Sequence, residues 1–183
     1  MRVAFTTFAI LKHPYGHPDV QAFDDRTPDV FAQAEGSPGF IDRAREVSGH
    51  ELSNFDRDWG PWGRFCTPRF YTYGRDTGTD QRASTLSLWQ DLPSVFRFVY
   101  EGLHVEALKR RAEWFLDPRW PTYAIWWIAA DYVPQWQEAC RKLEQLHDDG
   151  PRPAAFDFKH CYDERGNRVD IHALKAGGRS TWP

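Results

Sequence analysis

Tyr123-Ala124-Ile125-Trp126-Trp127-Ile128-Ala129 is the stretch on which the fold turns. It is apolar at odd and even positions alike. A strand with one wet face alternates apolar and polar residues, whereas an uninterrupted apolar run buries both faces. Residues 123–129 are therefore expected to form a central strand. Just upstream, Leu92-Pro93 opens a helix, with proline at an early position where a missing N–H costs nothing. Phe96, Val99, Leu103 and Ala107 make its expected buried stripe, and Asp117-Pro118 ends it. Downstream, residues 134–147 read as a further helix closed by Asp148-Asp149-Gly150-Pro151, and residues 155–158 as a last short strand.

The amino-terminal half supplies the partners. Residues 3–11 are rich in β-branched and aromatic types and make a first strand. An amphipathic helix follows over residues 19–35, interrupted at Thr27-Pro28 and stopped by Gly36-Ser37-Pro38-Gly39. Residues 40–47 read as a second strand. Residues 48–66 have no period and carry Trp59 and Trp62, which fits a lid or binding loop. A short extra strand is expected at residues 69–73, and an alternating, more secure one at 85–89. From about Ala173 the chain has little to bury and is expected to fray.

The order of elements is β-α-β-β-α-β. It predicts an α+β fold of the ferredoxin-like kind, an antiparallel sheet with helices on one face. One domain is expected over residues 1–172, with 48–82 as an inserted region and 173–183 as a tail. The other face of such a sheet needs a cover, and the commonest cover is the same face of a second copy. A homodimer forming a dimeric α+β barrel is the expectation.

A chain of 183 residues, 41% hydrophobic, is long enough for one real core. The rings are the unusual feature: 9 Trp, 7 Tyr and 13 Phe make up 16% of the residues, enough to fill a core and also line a small-molecule pocket or a dimer face. A net charge of −3 without a basic run argues against nucleic acid and anionic membranes as partners. No apolar run reaches the roughly 18–20 residues of a membrane helix. The start, Met1-Arg2-Val3-Ala4-Phe5, reads as a strand rather than a signal peptide. Cys66, Cys140 and Cys161 are odd in number and widely spaced. They form neither a disulfide framework nor a metal knuckle, and a reducing cytoplasm is the expected compartment.

A set of short motifs carries a family resemblance. Ser87-Leu88-Trp89, Phe98-Val99-Tyr100, His104, Arg110-Arg111 and Glu113-Trp114-Phe115 belong to it. So do Ile125-Trp126-Trp127-Ile128, Pro134, Glu138-Ala139, Leu143, Leu146, Gly150-Pro151 and Ala155-Phe156-Asp157-Phe158. Together they resemble an uncharacterised bacterial family of unknown function (DUF3291), related to the antibiotic-biosynthesis-monooxygenase type of dimeric α+β barrel. The likeness is strong over about half the chain and looser over residues 3–11 and Ser37-Pro38-Gly39-Phe40. Residues 48–82 are longer than in short members, so the pocket entrance is expected to differ. The resemblance implies a dimeric α+β barrel fold. Related barrels include cofactor-free oxygenases of aromatic polyketides, haem-degrading enzymes, isomerases, cyclases and proteins with no known reaction.

His104 is the first candidate for chemistry. At the edge of its helical stripe it could face the space between helix and sheet, as a proton acceptor or a haem ligand. The plainer reading is a packed histidine bonded to a backbone carbonyl or to Glu101. Arg69, Tyr71 and Tyr73 alternate onto one side of the extra strand, where an arginine beside phenols could hold an oxyanion; a wet edge is the plainer reading. Trp89 and Trp62 are expected to clamp a planar substrate, although Trp89 also suits the core. Phe96, Tyr100 and Trp127 complete the expected lining. His13 and His17 have no fixed third ligand, so no metal is expected. Cys66 has no neighbour in sequence that lowers its pKa, and no glycine-rich stretch opens a helix after a strand, so no nucleotide is expected. The functional expectation is a cofactor-independent oxygenase or cyclase acting on an aromatic, polyketide-like small molecule. Haem binding through His104 and non-catalytic ligand binding are the alternatives.

Overall fold

The structure, a computed structural model, describes residues 1–47, 58–71 and 81–176. Its centre is a four-stranded antiparallel sheet. β1 (Arg2–Ile10), β2 (Phe40–Arg43), β3 (Arg82–Trp89) and β4 (Tyr123–Ile128) are ordered β2-β3-β1-β4. Between β1 and β2 lie α1 (Pro18–Asp24) and α2 (Thr27–Glu35). Between β3 and β4 lie α3 (Leu92–Tyr100) and α4 (Gly102–Trp114). After β4 come α5 (Trp136–Asp149), a small hairpin of β5 (Cys161–Tyr162) and β6 (Arg168–Val169), and α6 (Ile171–Ala176).

Side chains of a strand alternate between its faces, and the register shows where each goes. Val3 pairs with Trp89 and Trp127, and Phe5 with Ser87 and Ile125. These residues share one face with Val95, Phe96, Phe98 and Val99 of α3, and with Phe156, Phe158 and Ile171. Ala4 pairs with Leu88 and Trp126 on the other face. There Trp136, Ala139 and Leu143 of α5 cover the sheet together with Trp62, Phe65 and Tyr71. Helices therefore stand on both faces, not on one. The α5 stripe of Trp136, Ala139, Cys140, Leu143 and Leu146 follows helical spacing, and it supplies within one chain the cover that a second copy was expected to bring.

Further expectations need correction. The strand at residues 123–129 ends the sheet; β3 and β1 are its inner strands. An apolar run reports that both faces are buried, not that both edges are paired. The free edge of β4 is instead tied at one point, where Ile125 and Phe156 exchange backbone hydrogen bonds of 2.9 Å each, so residues 155–158 make a bridge rather than a strand. The helix expected from Leu92 to Phe115 is two helices. Glu101 is extended (φ −129°, ψ 158°) and Gly102 takes φ +65°, a left-handed conformation that side-chain-bearing residues resist. The break rotates the register, and Leu103, expected in the stripe, is exposed. Finally, residues 69–70 form a turn, and residues 72–73 of the expected extra strand lie outside the described residues. Of the terminal residues expected to fray, those to Ala176 continue α6, which packs on α3.

Local chemistry explains the joints. Asp91 caps α3, its carboxylate accepting from the Ser94 N–H at 2.8 Å. Gly39, at φ +81°, brings β2 against the start of α3 so closely that a Cβ there would stand 2.6 Å from the Ser94 Cβ. Among the described residues, no helix is long and apolar enough to cross a membrane.

Candidate functional site

His104 stands at the beginning of α4, immediately after the break, where the chain turns away from α3. Gln33 of α2 holds this turn from outside. Its amide oxygen accepts from the His104 backbone N–H at 3.2 Å, and its amide nitrogen donates to the Glu101 carbonyl at 3.1 Å. The imidazole folds back over the end of α3. Nδ1 lies 2.9 Å from the Val99 carbonyl oxygen. A carbonyl only accepts, so Nδ1 carries the proton and Nε2 keeps its lone pair. Burial pushes the His104 pKa below its usual value of 6.5, outweighing the Val99 hydrogen bond that raises it. The result is a neutral ring of one tautomer. Among the described residues, no protein group hydrogen-bonds Nε2.

The expected lining divides into two groups. Trp89 stacks on Phe98 at 5.1 Å, and Phe98 meets the His104 ring at 4.8 Å. Phe98, absent from the expected site, is thus the link between Trp89 and His104. The Trp89 indole donates to the Ser87 hydroxyl at 2.9 Å and is fully buried, as the plainer reading of it had it. Further along α3, Phe96 meets Tyr100 at 4.6 Å, Phe158 at 5.3 Å and His172 at 5.5 Å. Trp127 packs against the same cluster and donates to the Tyr162 carbonyl at 2.7 Å.

Arg69, Tyr71 and Trp62 are elsewhere. Tyr71 is buried edge-on to Phe8 at 5.7 Å, and Trp62 is buried beside Trp136, both on the α5 face of the sheet. Arg69 is exposed and paired with Asp148 of α5. The sheet lies between these three residues and His104. They cannot steady an oxyanion formed at His104, and Trp62 cannot clamp a ring against Trp89. Tyr73 lies outside the described residues. The space expected as a pocket, between residues 93–115 and the sheet, is filled by Trp89, Val95, Phe96, Phe98 and Val99. A haem held by His104 needs a slot, and the buried side of the ring is taken up by Phe98 and the end of α3. These residues do not fit a haem between helix and sheet.

Two other clusters are made by the fold. His13 and His17 stack at 4.0 Å, and Asp19 supplies the third donor that spacing alone did not reveal, its carboxylate 3.4 Å from His13 Nε2. The His17 Nδ1 is occupied as the cap of α1, accepting from the Asp19 N–H at 3.2 Å. On the other side of the molecule, the thiols of Cys66 and Cys140 meet at 3.1 Å. Neither pairing has a sequence signature, and neither has Gln33.

The molecule is thus an α+β protein whose four-stranded sheet carries a tautomer-fixed histidine at its helical layer. The chain belongs to the family described as domain of unknown function (DUF3291), whose model matches residues 2–171. No curated protein and no solved structure matches it.

Proposed function

We propose that this protein is a small-molecule tailoring enzyme in which His104 is a general base. The observation that carries the reading is the Nδ1–H bond to Val99, which leaves a neutral imidazole with Nε2 as its one lone pair. A base of that kind takes a proton from an acidic carbon or a phenol at neutral pH. On a planar, partly aromatic, polyketide-like substrate, the resulting delocalised anion can add to dioxygen or close a ring within the molecule. The exposed ring of Tyr100 favours an aromatic substrate over a charged or sugar-like one. The strand order β2-β3-β1-β4 supports a ferredoxin-like architecture. A homodimer sharing the sheet face is no part of this reading, because α5 covers that face. Arg69 and Tyr71 are likewise left out.

The test uses hydroxylated anthrones and naphthoquinones as probes, with oxygen uptake and product mass followed for the wild type and for His104→Gln. Turnover above background that falls at least about a hundredfold in the variant, the range of a lost acid–base group, supports the reading. Equal rates for the two proteins, or tight binding without conversion, would leave a binding protein. A Soret band on titration with haemin, lost in His104→Gln, would replace the base with a haem ligand.

A further inference from the structure

Cys66 and Cys140 are 74 positions apart in the chain, and the fold brings them together from different elements. Cys140 belongs to the buried stripe of α5, and Cys66 to the irregular segment 58–71 that lies over the same sheet face. Their Sγ atoms stand at 3.1 Å, and the Cys140 thiol lies at the same distance from the Cys66 carbonyl oxygen. The Cys66 thiol donates to the Cys140 sulfur, so the two sulfurs need to close by only about 1 Å to reach the roughly 2.05 Å of a disulfide bond. A cavity of about 10 Å³, roughly one water in size, is lined by both cysteines together with Thr6, Ser84 and Trp136.

The geometry points to a reversible disulfide between Cys66 and Cys140 as a modification site, formed by a peroxide-class oxidant and locking residues 58–71 onto α5. The two sulfurs divide the work by accessibility. Cys66 is half-buried and within reach of a small oxidant, whereas Cys140 is buried. The hydrogen bond to Cys66, and then burial, push the Cys140 thiol well above its usual range, so Cys140 keeps its proton while Cys66 reacts. Arg82, buried with its guanidinium 3.9 Å over the Phe65 ring, brings a positive charge that favours thiolate at the pair.

The steps balance. The Cys66 thiolate attacks one oxygen of hydrogen peroxide, the O–O bond breaks, and the departing hydroxide takes up the thiol's proton as water. Cys66 is left as a sulfenic acid. The Cys140 sulfur then attacks the Cys66 sulfur, the S–O bond breaks, and a second water leaves with the Cys140 proton. Each sulfur loses one electron, and peroxide gains two. A dithiol reductant reverses the change by thiol–disulfide exchange. Because the link closes a long loop, it constrains the unfolded chain and raises the melting temperature, by roughly 5–10 °C.

The experiment treats the reduced full-length protein with hydrogen peroxide and follows intact mass, peptide map and Tm. The expected result is loss of two hydrogens, a Cys66–Cys140 cross-linked peptide, and a higher Tm, all reversed by dithiothreitol. Cys140→Ser should stop at a dimedone-trappable sulfenic acid on Cys66, Cys66→Ser should form no link, and Cys161→Ser should behave as wild type. Circular dichroism of each reduced variant checks that it folds. Oxidation of folded protein that runs to sulfinic acid without the link, a link through Cys161, or a link only between two chains overturns the proposal.

Discussion

Trp62 and Trp89 are buried on opposite faces of one sheet. Trp89 stands with Val3 and Phe98 under α3, and Trp62 stands with Ala4 and Trp136 under α5. Two indoles that read as one aromatic clamp are separated by the strands between them.

The first prediction follows from that separation. Trp62→Phe and Trp89→Phe should each destabilise the protein by about 1–3 kcal/mol through lost buried contacts. With no shared partners, their costs should add to within about 0.5 kcal/mol in the double variant. Urea unfolding of the three proteins measures this. A coupling energy above about 1 kcal/mol would place the two rings in one packing unit.

His104 gives a pH dependence whose sign can be worked out. The folded pKa is lowered below 6.5 by burial, so the folded state resists protonation more than the unfolded one does. Below about pH 6.5 the unfolded chain takes up a proton that the native ring refuses, and stability falls with pH until the lower, folded pKa is passed. Above pH 6.5 the contribution is fully present. Tm measured from pH 8 to pH 5 should decline, and His104→Gln should flatten part of that decline. Nitrogen chemical shifts should report Nδ1 protonated at pH 7. An Nε2–H tautomer would remove the base assignment.

The glycines at the two tight joints are expected to differ in cost. Gly102→Ala places a Cβ 2.5 Å from the far end of the Gln33 side chain, which can swing away by giving up its hydrogen bonds to His104 and Glu101, so their loss adds to left-handed strain of about 1–2 kcal/mol. Gly39→Ala adds the same strain and drives a Cβ into the Ser94 Oγ and to 2.6 Å from its Cβ. That collision is with the base of a short side chain at a capped helix start, so the second variant should lose clearly more. Denaturant midpoints of the two proteins decide the order, and the reverse order would mean that the joint at Gly39 yields.

Arg69 is expected to be dispensable. Its ion pair with Asp148 is exposed, and exposed pairs contribute little against screening by water and salt. Arg69→Ala should leave Tm and any turnover within the scatter of the measurement. A large loss of turnover with an unchanged Tm would return Arg69 to the site.

Much of the fold is legible in single residues. Alternation at 85–89, the proline and aspartate around Leu92, and the apolar run Tyr123–Ile128 mark elements because each reports a local rule of period, cap or burial. The break at Glu101–Gly102 is hidden in the sequence because the apolar spacing of Phe96 and Val99 continues arithmetically to Leu103. Only the positive φ of Gly102 shows that the stripe does not. Of the candidate site, His104, Trp89, Phe96, Tyr100 and Trp127 lie on one side of the sheet, where the sequence placed them together. Arg69, Tyr71 and Trp62 do not, because they belong to a segment without period, and nothing local says which face such a segment will cover.

Period, charge balance and composition determine, from the sequence alone, that this chain builds an antiparallel sheet with helices and carries rings in excess of what polar surfaces require. The tertiary structure decided the rest: that α5 closes the second face, that Gln33 and Val99 fix the His104 ring, and that Cys66 meets Cys140. The reason is physical. Burial and periodicity are properties of neighbours in sequence, whereas a hydrogen bond or a thiol contact across dozens of residues exists only once the elements have packed.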